Sequence, residues 1–163
     1  MEEGVPGVPI SGIALSELLK RHFDTVPSAF EHAQFNLLDS HDTTRLHNNR
    51  AIFDWAIYEG CIMLLFLLPS TASVYYGDEV GISGSLDGDH GKRHPMPWHE
   101  SAWNTRFVEL YRKMARLKRE SAALHSGSAA VLDATTDHLV YARFTDSEAV
   151  VLLRTTIPSP FGP

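Results

Sequence analysis

Eight consecutive apolar residues, Cys61 to Leu68, end a stretch that reads as one helix, capped by Asn48 or Asn49 and stopped by Pro69. Ile52, Phe53, Ala56, Ile57 and Gly60 give its first half an apolar stripe, whereas its second half is apolar on every side. A helix of that kind must be covered on several sides, so the chain has to build a layered fold around it. The run is well short of the ~20 residues needed to span a bilayer. Met1 to Pro6 carries neither the basic region nor the apolar segment of a secretory leader. The expectation is a cytoplasmic chain with no membrane partner.

The elements around that helix follow from periodicity. Ser11 opens a helix with Leu15, Leu18, Leu19, His22 and Phe23 on one face; Pro27 interrupts it, and a helical turn spans Ser28 to Ala33. Gln34 to Leu38 reads as a short buried strand that runs straight into the polar cluster Asp39 to Arg45. Beyond the apolar helix, Ser73 to Tyr76 reads as a second strand broken at Gly77. The loop from Gly77 to about Trp103 is too long for a simple connector. A helix over Asn104 to Arg119 would bury Phe107, Leu110, Tyr111, Met114 and Leu117, with Glu109 four residues before Lys113. After Gly127 the period changes, and Ala129–Leu132, Leu139–Phe144 and Ala149–Leu153 read as strands. The order predicts an α/β class: two βα units over residues 1–126, then the start of an antiparallel β domain over 127–163.

The 163 residues, 44% hydrophobic and 21% charged, suit one globular domain. A complete (β/α)₈ barrel needs about 250 residues, so a barrel reading is a reading of part of one. A net charge of −6 argues against a broad phosphate-binding surface and hence against nucleic acid. The basic run Arg112 to Arg119 is the solvated face of a helix. Cys61 is the only cysteine and reads as a small buried hydrophobe. None of the nine histidines stands in a spacing that signals a metal site, and no cofactor is expected.

A strand that ends in clustered polar side chains is where α/β barrels place their chemistry. The stretch Asn36-Leu37-Leu38-Asp39-Ser40-His41-Asp42-Thr43-Thr44-Arg45 resembles the fourth conserved region of the α-amylase family of glycoside hydrolases. It looks most like the neopullulanase, cyclomaltodextrinase and maltogenic amylase branch. Tyr75-Tyr76-Gly77-Asp78-Glu79-Val80-Gly81 resembles that family's eighth-strand motif, and Arg93-His94-Pro95-Met96-Pro97-Trp98 the segment after it. Leu117 to Leu124 is similar to the end of the last barrel helix. The likeness is close over residues 34 to 127 and looser beyond.

The resemblance implies the last two βα units of a (β/α)₈ TIM barrel, followed by the start of a C-terminal β domain. It implies an α-glucan, maltooligosaccharide or cyclodextrin as substrate. Asp42 would be the third acid, binding the hydroxyls beside the anomeric carbon, where hydrogen bonds strengthen as positive charge develops. His41 would bind the same sugar, and Asp87, Asp89 and Arg93 would grip the next sugars. Arg45 is either a substrate contact or an orienting partner of Asp39 or Asp42.

The sequence also departs from the family. The family's nucleophilic Asp and acid Glu lie on earlier strands, and nothing in residues 1 to 33 resembles those motifs. The expectation is an incomplete fold, inactive alone. Asp87-Gly88-Asp89 sits two residues away from the position of a relative's Asp-Pro-Asp, and Leu68-Pro69-Ser70-Thr71-Ala72 replaces a Pro-Gly turn.

Simpler readings stand beside these. Asp42 is also a good turn acid or helix cap. Asp78 and Glu79 read as rim supports, and Tyr75, Tyr76, Trp98 and Trp103 read as packing aromatics before sugar platforms. Two other functions stay open. One is a non-catalytic module that self-associates through uncovered barrel edges or binds carbohydrate. The other is a metal-dependent phosphohydrolase using His41-Asp42 with His22 or His32.

Overall fold

The computed structural model describes residues 10–48, 53–83 and 92–155. They form five helices and five strands, joined by short 3₁₀ turns at Leu46–Asn48, Asp78–Val80 and Glu100–Ala102. Two compact units result. One is drawn from Phe35–Phe66 and Ala72–Leu117, the other from Val8–Gln34, Leu67–Thr71 and Lys118–Pro163.

β1 (Phe35–Asn36) leads through a loop to α3 (Trp55–Leu67), which belongs to the first unit up to Phe66 and returns to β2 (Thr71–Ala72). The helix starts at Trp55 because the Asp54 carboxylate accepts the Ile57 N–H at 3.0 Å, a side-chain cap on the third helical residue. The expected caps are thus replaced by Asp54, and residues 49–52 lie outside the described residues. Its buried stripe is Tyr58, Ile62, Leu65 and Phe66, while Phe53 and Ile57, expected on that stripe, are exposed. Cys61, expected inside, is half-buried.

The paired strands are shorter than their sequence suggests. Thr71 N–H donates to Gln34 O at 3.0 Å and Ser73 N–H to Asn36 O at 2.7 Å. Both bonds advance along the chain together, so the pairing is parallel with α3 as the crossover. The second strand therefore precedes the expected Ser73–Tyr76. Phe35 is 71% exposed, and Leu37 and Leu38 are also exposed, so this strand is not the buried one expected. Only two residues carry the ladder, too few to turn an alternating face onto a core.

The helix α4 (Thr105–Glu120) packs its apolar stripe on α3. Phe107, Leu110, Tyr111 and Met114 are buried as expected, and Leu117 is half-buried. Rings of Tyr58 and Phe107 meet at 5.2 Å, those of Phe66 and Tyr111 at 6.3 Å. The Tyr58 and Tyr111 hydroxyls hydrogen-bond at 2.9 Å, and burial pushes both well above the ordinary tyrosine value.

The second unit packs α1 (Gly12–Thr25) on an antiparallel sheet of β3 (Ser128–Ala134), β4 (His138–Phe144) and β5 (Ala149–Thr155), with β4 central. The Ser11 hydroxyl caps α1 by accepting the Ala14 N–H at 3.2 Å. The N–H groups of Gly12 and Ile13 donate to Thr136 O and Thr135 O at the β3–β4 turn. A side chain at Gly12 would collide with the backbone carbonyls of Thr135 and His138, so this close approach requires glycine. Gly12, Ser16 and Leu19 are buried, whereas Leu18, expected on the inner face, is exposed.

Arg143 on β4 is fully buried and donates to Leu67 O at 2.9 Å and Gly127 O at 2.8 Å. Lys118 donates to Leu68 O at 3.0 Å, so two cations satisfy carbonyls at the end of α3. A short helix, α5 (Ala122–Ser126), precedes β3, so Leu117 to Leu124, read from the sequence as the end of one helix, is split between α4 and α5. Ser121 caps it, and Glu148 from the β4–β5 turn accepts from the Ser121 hydroxyl at 2.5 Å and the Ala123 N–H at 3.3 Å. The remaining α2 (Ser28–Glu31) is the expected single turn. Among the described residues, no helix is long and apolar enough to cross a membrane.

Candidate functional site

The polar cluster after β1 folds into a self-bonded loop of the first unit. Asp39 is buried, and its carboxylate accepts the Leu46 N–H at 2.8 Å, closing the loop at its base. Above it, Ser40 N–H donates to the Thr43 hydroxyl at 2.8 Å and Asp42 N–H to the Ser40 hydroxyl at 3.2 Å. This small polar turn lifts two side chains into solvent, His41 at 59% exposed and Asp42 at 72%.

Asp42 is flanked on both carboxylate oxygens. His41 Nε2 lies 3.2 Å from Oδ2, and the Arg93 guanidinium lies 3.2 Å from Oδ1. Lys92 Nζ donates to the Asp42 carbonyl at 3.3 Å. The arrangement offers a carboxylate acceptor beside two nitrogen donors, all open to water. That set matches adjacent hydroxyl groups of a polar ligand, each able to donate to Asp42 and accept from His41 or Arg93.

Beneath the loop lies a buried polar layer. Arg45 is 1% exposed and donates from one terminal nitrogen to Asp78 Oδ1 at 2.5 Å. Its partner is therefore Asp78, rather than Asp39 or Asp42 as expected from the sequence. Its Nε and second terminal nitrogen have no hydrogen-bond partner among the described residues; instead the cation sits 4.5 Å from the Tyr75 ring centre and 5.2 Å from that of Tyr76. Burial, then the hydrogen bond and negative charge of Asp39, push the Asp78 carboxyl up to about 8 against the pull of Arg45. His47 donates from Nε2 to Ile82 O at 2.7 Å, and burial lowers its pKa, so it is a neutral donor. A cavity of about 10 Å³ is bordered by Asp39, Asp78, Tyr58, Tyr75 and Tyr111.

The chain turns sharply after β2. Gly77 holds φ at +87°, where a side chain would be strained and would strike Ile82, and the Glu79 carboxylate accepts the Gly77 N–H at 2.7 Å. Asp78 and Glu79 thus both accept hydrogen bonds at this turn, from Arg45 and from Gly77. Trp103 donates to Pro97 O at 2.6 Å, and Trp98 is 81% exposed.

Of the candidate residues, His41, Asp42 and Arg93 come together, and Arg45 lies buried below them. Asp87 and Asp89 fall in 84–91, outside the described residues. Among the described residues, no group of three or more His, Cys, Asp or Glu side chains is placed to hold a metal ion. Sequence reasoning missed the hydroxyl bonds from Tyr75 to Lys92 O, 2.9 Å, and from Tyr76 to His94 O, 2.7 Å. It also missed Asp78 as the partner of Arg45, since no local pattern links residues 33 positions apart.

A family model described as the catalytic domain of alpha amylase matches residues 8–123. A cyclomaltodextrinase of Geobacillus thermopakistaniensis (strain MAS1) is 31% identical over 148 residues, covering 88% of this chain and 24% of the relative. Neopullulanase 2 of Thermoactinomyces vulgaris is 38% identical over 98 residues, 58% of this chain and 16% of the relative. The chain thus spans a quarter or less of the length of these curated relatives. Among solved structures, the cyclic α-maltosyl-(1→6)-maltose hydrolase from Arthrobacter globiformis, in complex with cyclic α-maltosyl-(1→6)-maltose, aligns with a TM-score of 0.79 at 33% identity. That match covers 88% of this chain and 32% of the other. The debranching enzyme from Nostoc punctiforme aligns with a TM-score of 0.80 at 30% identity, over 91% of this chain and 30% of the other.

Proposed function

The chain belongs to the α-amylase family, and from that membership we propose that it forms the C-terminal part of a retaining α-glucan hydrolase, bearing one wall of the sugar site. The family's catalytic domain is a TIM barrel. On this reading residues 1–126 supply its last two βα units, and 127–163 begin the β domain that follows. The substrate class is an α-glucan, maltooligosaccharide or cyclodextrin, in keeping with the names of its relatives.

The observation that carries the reading is the exposed Asp42 carboxylate held between His41 and Arg93. Asp42 acts as the third acid. Its two oxygens accept from adjacent sugar hydroxyls, and His41 and Arg93 donate to the same ring or its neighbour. These bonds strengthen as the sugar ring gains positive charge, which is how such a residue lowers the barrier without attacking. Retaining cleavage also needs a nucleophile and a protonated acid about 5–5.5 Å apart. Asp39 and Asp78 do not supply that pair, because both are buried and committed to Leu46 and Arg45. On this reading the chain contributes sugar binding, and the nucleophile and acid lie elsewhere in the barrel.

The test is prolonged incubation of the chain with maltoheptaose and with β-cyclodextrin, products read by mass spectrometry, with Asp42→Asn alongside. No product is expected. Products that disappear in Asp42→Asn would place a working catalytic pair within this chain and overturn the division of labour.

A second reading, self-association, draws on Phe35, Leu37, Leu38 and Trp98, which are apolar and exposed in the first unit. Size-exclusion chromatography with light scattering decides it. A mass near 18.2 kDa at high protein concentration removes the reading.

A further inference from the structure

We propose that Tyr75 and Tyr76 form a hydroxyl clamp that sets Arg93 against Asp42, which makes them positioning residues of the site and not surfaces for a sugar to stack on. The two hydroxyls grip the carbonyls immediately before and after Arg93, those of Lys92 at 2.9 Å and His94 at 2.7 Å. Two fixed carbonyls flanking one residue fix where its Cα sits and which way its side chain leaves. Arginine is long and rotamer-rich, so a mobile backbone would leave its guanidinium little time beside any one acceptor. Here it meets Asp42 Oδ1 at 3.2 Å.

The clamp is itself held from below. The Tyr75 and Tyr76 rings lie edge-on to each other, centres 4.8 Å apart, and both meet the buried Arg45 cation. Arg45 is tied to Asp78. The ring faces that meet the guanidinium are not open to a sugar ring. The tyrosines reach the Arg93 segment through their hydroxyls. Burial raises the Tyr75 pKa above its ordinary 10.0, which keeps that hydroxyl a donor.

The consequence for binding rests on the reading of Asp42 as a sugar-binding acid; the clamp geometry does not. The experiment separates the two. Isotope-labelled chain is compared with Tyr75→Phe/Tyr76→Phe, which removes both hydroxyls and keeps both rings over Arg45. Without any sugar, nuclear Overhauser contacts between the Arg93 side chain and His41 or Asp42 should vanish, and the amides of 92–94 should lose order. Contacts between Tyr58 and Phe107 should persist as the sign of an intact fold. Unchanged Arg93 contacts overturn the clamp. If the double variant loses the Tyr58–Phe107 contacts, the same comparison is made on Tyr76→Phe alone, whose hydroxyl is the more exposed, and the same two outcomes decide.

Titration with maltoheptaose then adds a cycle. Removing the two hydroxyls should weaken binding roughly tenfold, Arg93→Ala should weaken it about as much, and the combination no further than Arg93→Ala alone. Additive losses would show that the tyrosines act on sugar independently of Arg93 and overturn the proposal. Wild-type chain that binds no maltoheptaose would sink the sugar reading, while the Arg93 contacts would still decide the clamp.

Discussion

Asp78 combines two roles that pull in opposite directions, as the acceptor for buried Arg45 and as one half of a crowded carboxyl pair with Asp39. An acid whose folded pKa is raised binds its proton more tightly in the folded state. That stabilisation is complete below the ordinary 3.8 and is lost as pH rises through about 8. His47 works in the opposite sense, because burial lowers its pKa and favours the folded state as pH rises through the ordinary 6.5. The Asp78 contribution is therefore read as a difference: the stability of wild type relative to Asp78→Asn should fall from pH 4 to pH 8 in urea melts. A difference that stays flat or grows over that window would show that Asp78 is an ordinary ionised carboxylate. Asp78→Ala removes the acceptor altogether, strands a buried Arg45 nitrogen and should cost ~1–3 kcal/mol, the range for leaving a buried donor unsatisfied.

The elements differ in how openly the sequence announced them. The stripe Phe107, Leu110, Tyr111, Met114 was legible because a half-exposed helix writes its period into the chain, and the three C-terminal strands were legible by alternation. The start of α3 was not, since Asp54 and two asparagines upstream are equally good caps and only tertiary structure chooses among them. Nor was the break between α4 and α5, whose five residues are held by Glu148 from a distant turn. In the site, His41 and Asp42 could be read because the stretch Asn36 to Arg45 resembles a conserved region of the α-amylase family. The Arg45–Asp78 pair and the tyrosine hydroxyls could not, because contacts between separate loops leave no periodic trace. Two measurements belong to these elements. Arg143→Leu strips the partners from two buried carbonyls, Leu67 O and Gly127 O, and should cost about 2–5 kcal/mol in urea unfolding. The Ser121 hydroxyl, the largest effect, holds the Glu148 carboxyl below its ordinary 4.5, so its contribution is present above 4.5 and is lost as pH falls through the depressed value. Glu148→Gln should accordingly flatten the acid limb of the stability curve, and an unchanged acid limb would remove Glu148 from the capping role.

Taken whole, the chain is a family member that spans a quarter or less of its curated relatives. What it holds is a polar turn at the end of a parallel strand, with an exposed carboxylate between two donors, resting on a buried cation. On the proposed reading that arrangement binds and orients a sugar. The most direct measurement is a nuclear magnetic resonance titration of labelled chain with maltoheptaose, repeated on Asp42→Asn. Saturable shifts centred on His41, Asp42 and Arg93, weakened in Asp42→Asn, are the expected result. Shifts that never saturate, that centre on β3 to β5, or that survive Asp42→Asn unchanged would contradict the assignment of Asp42 as the sugar-binding acid.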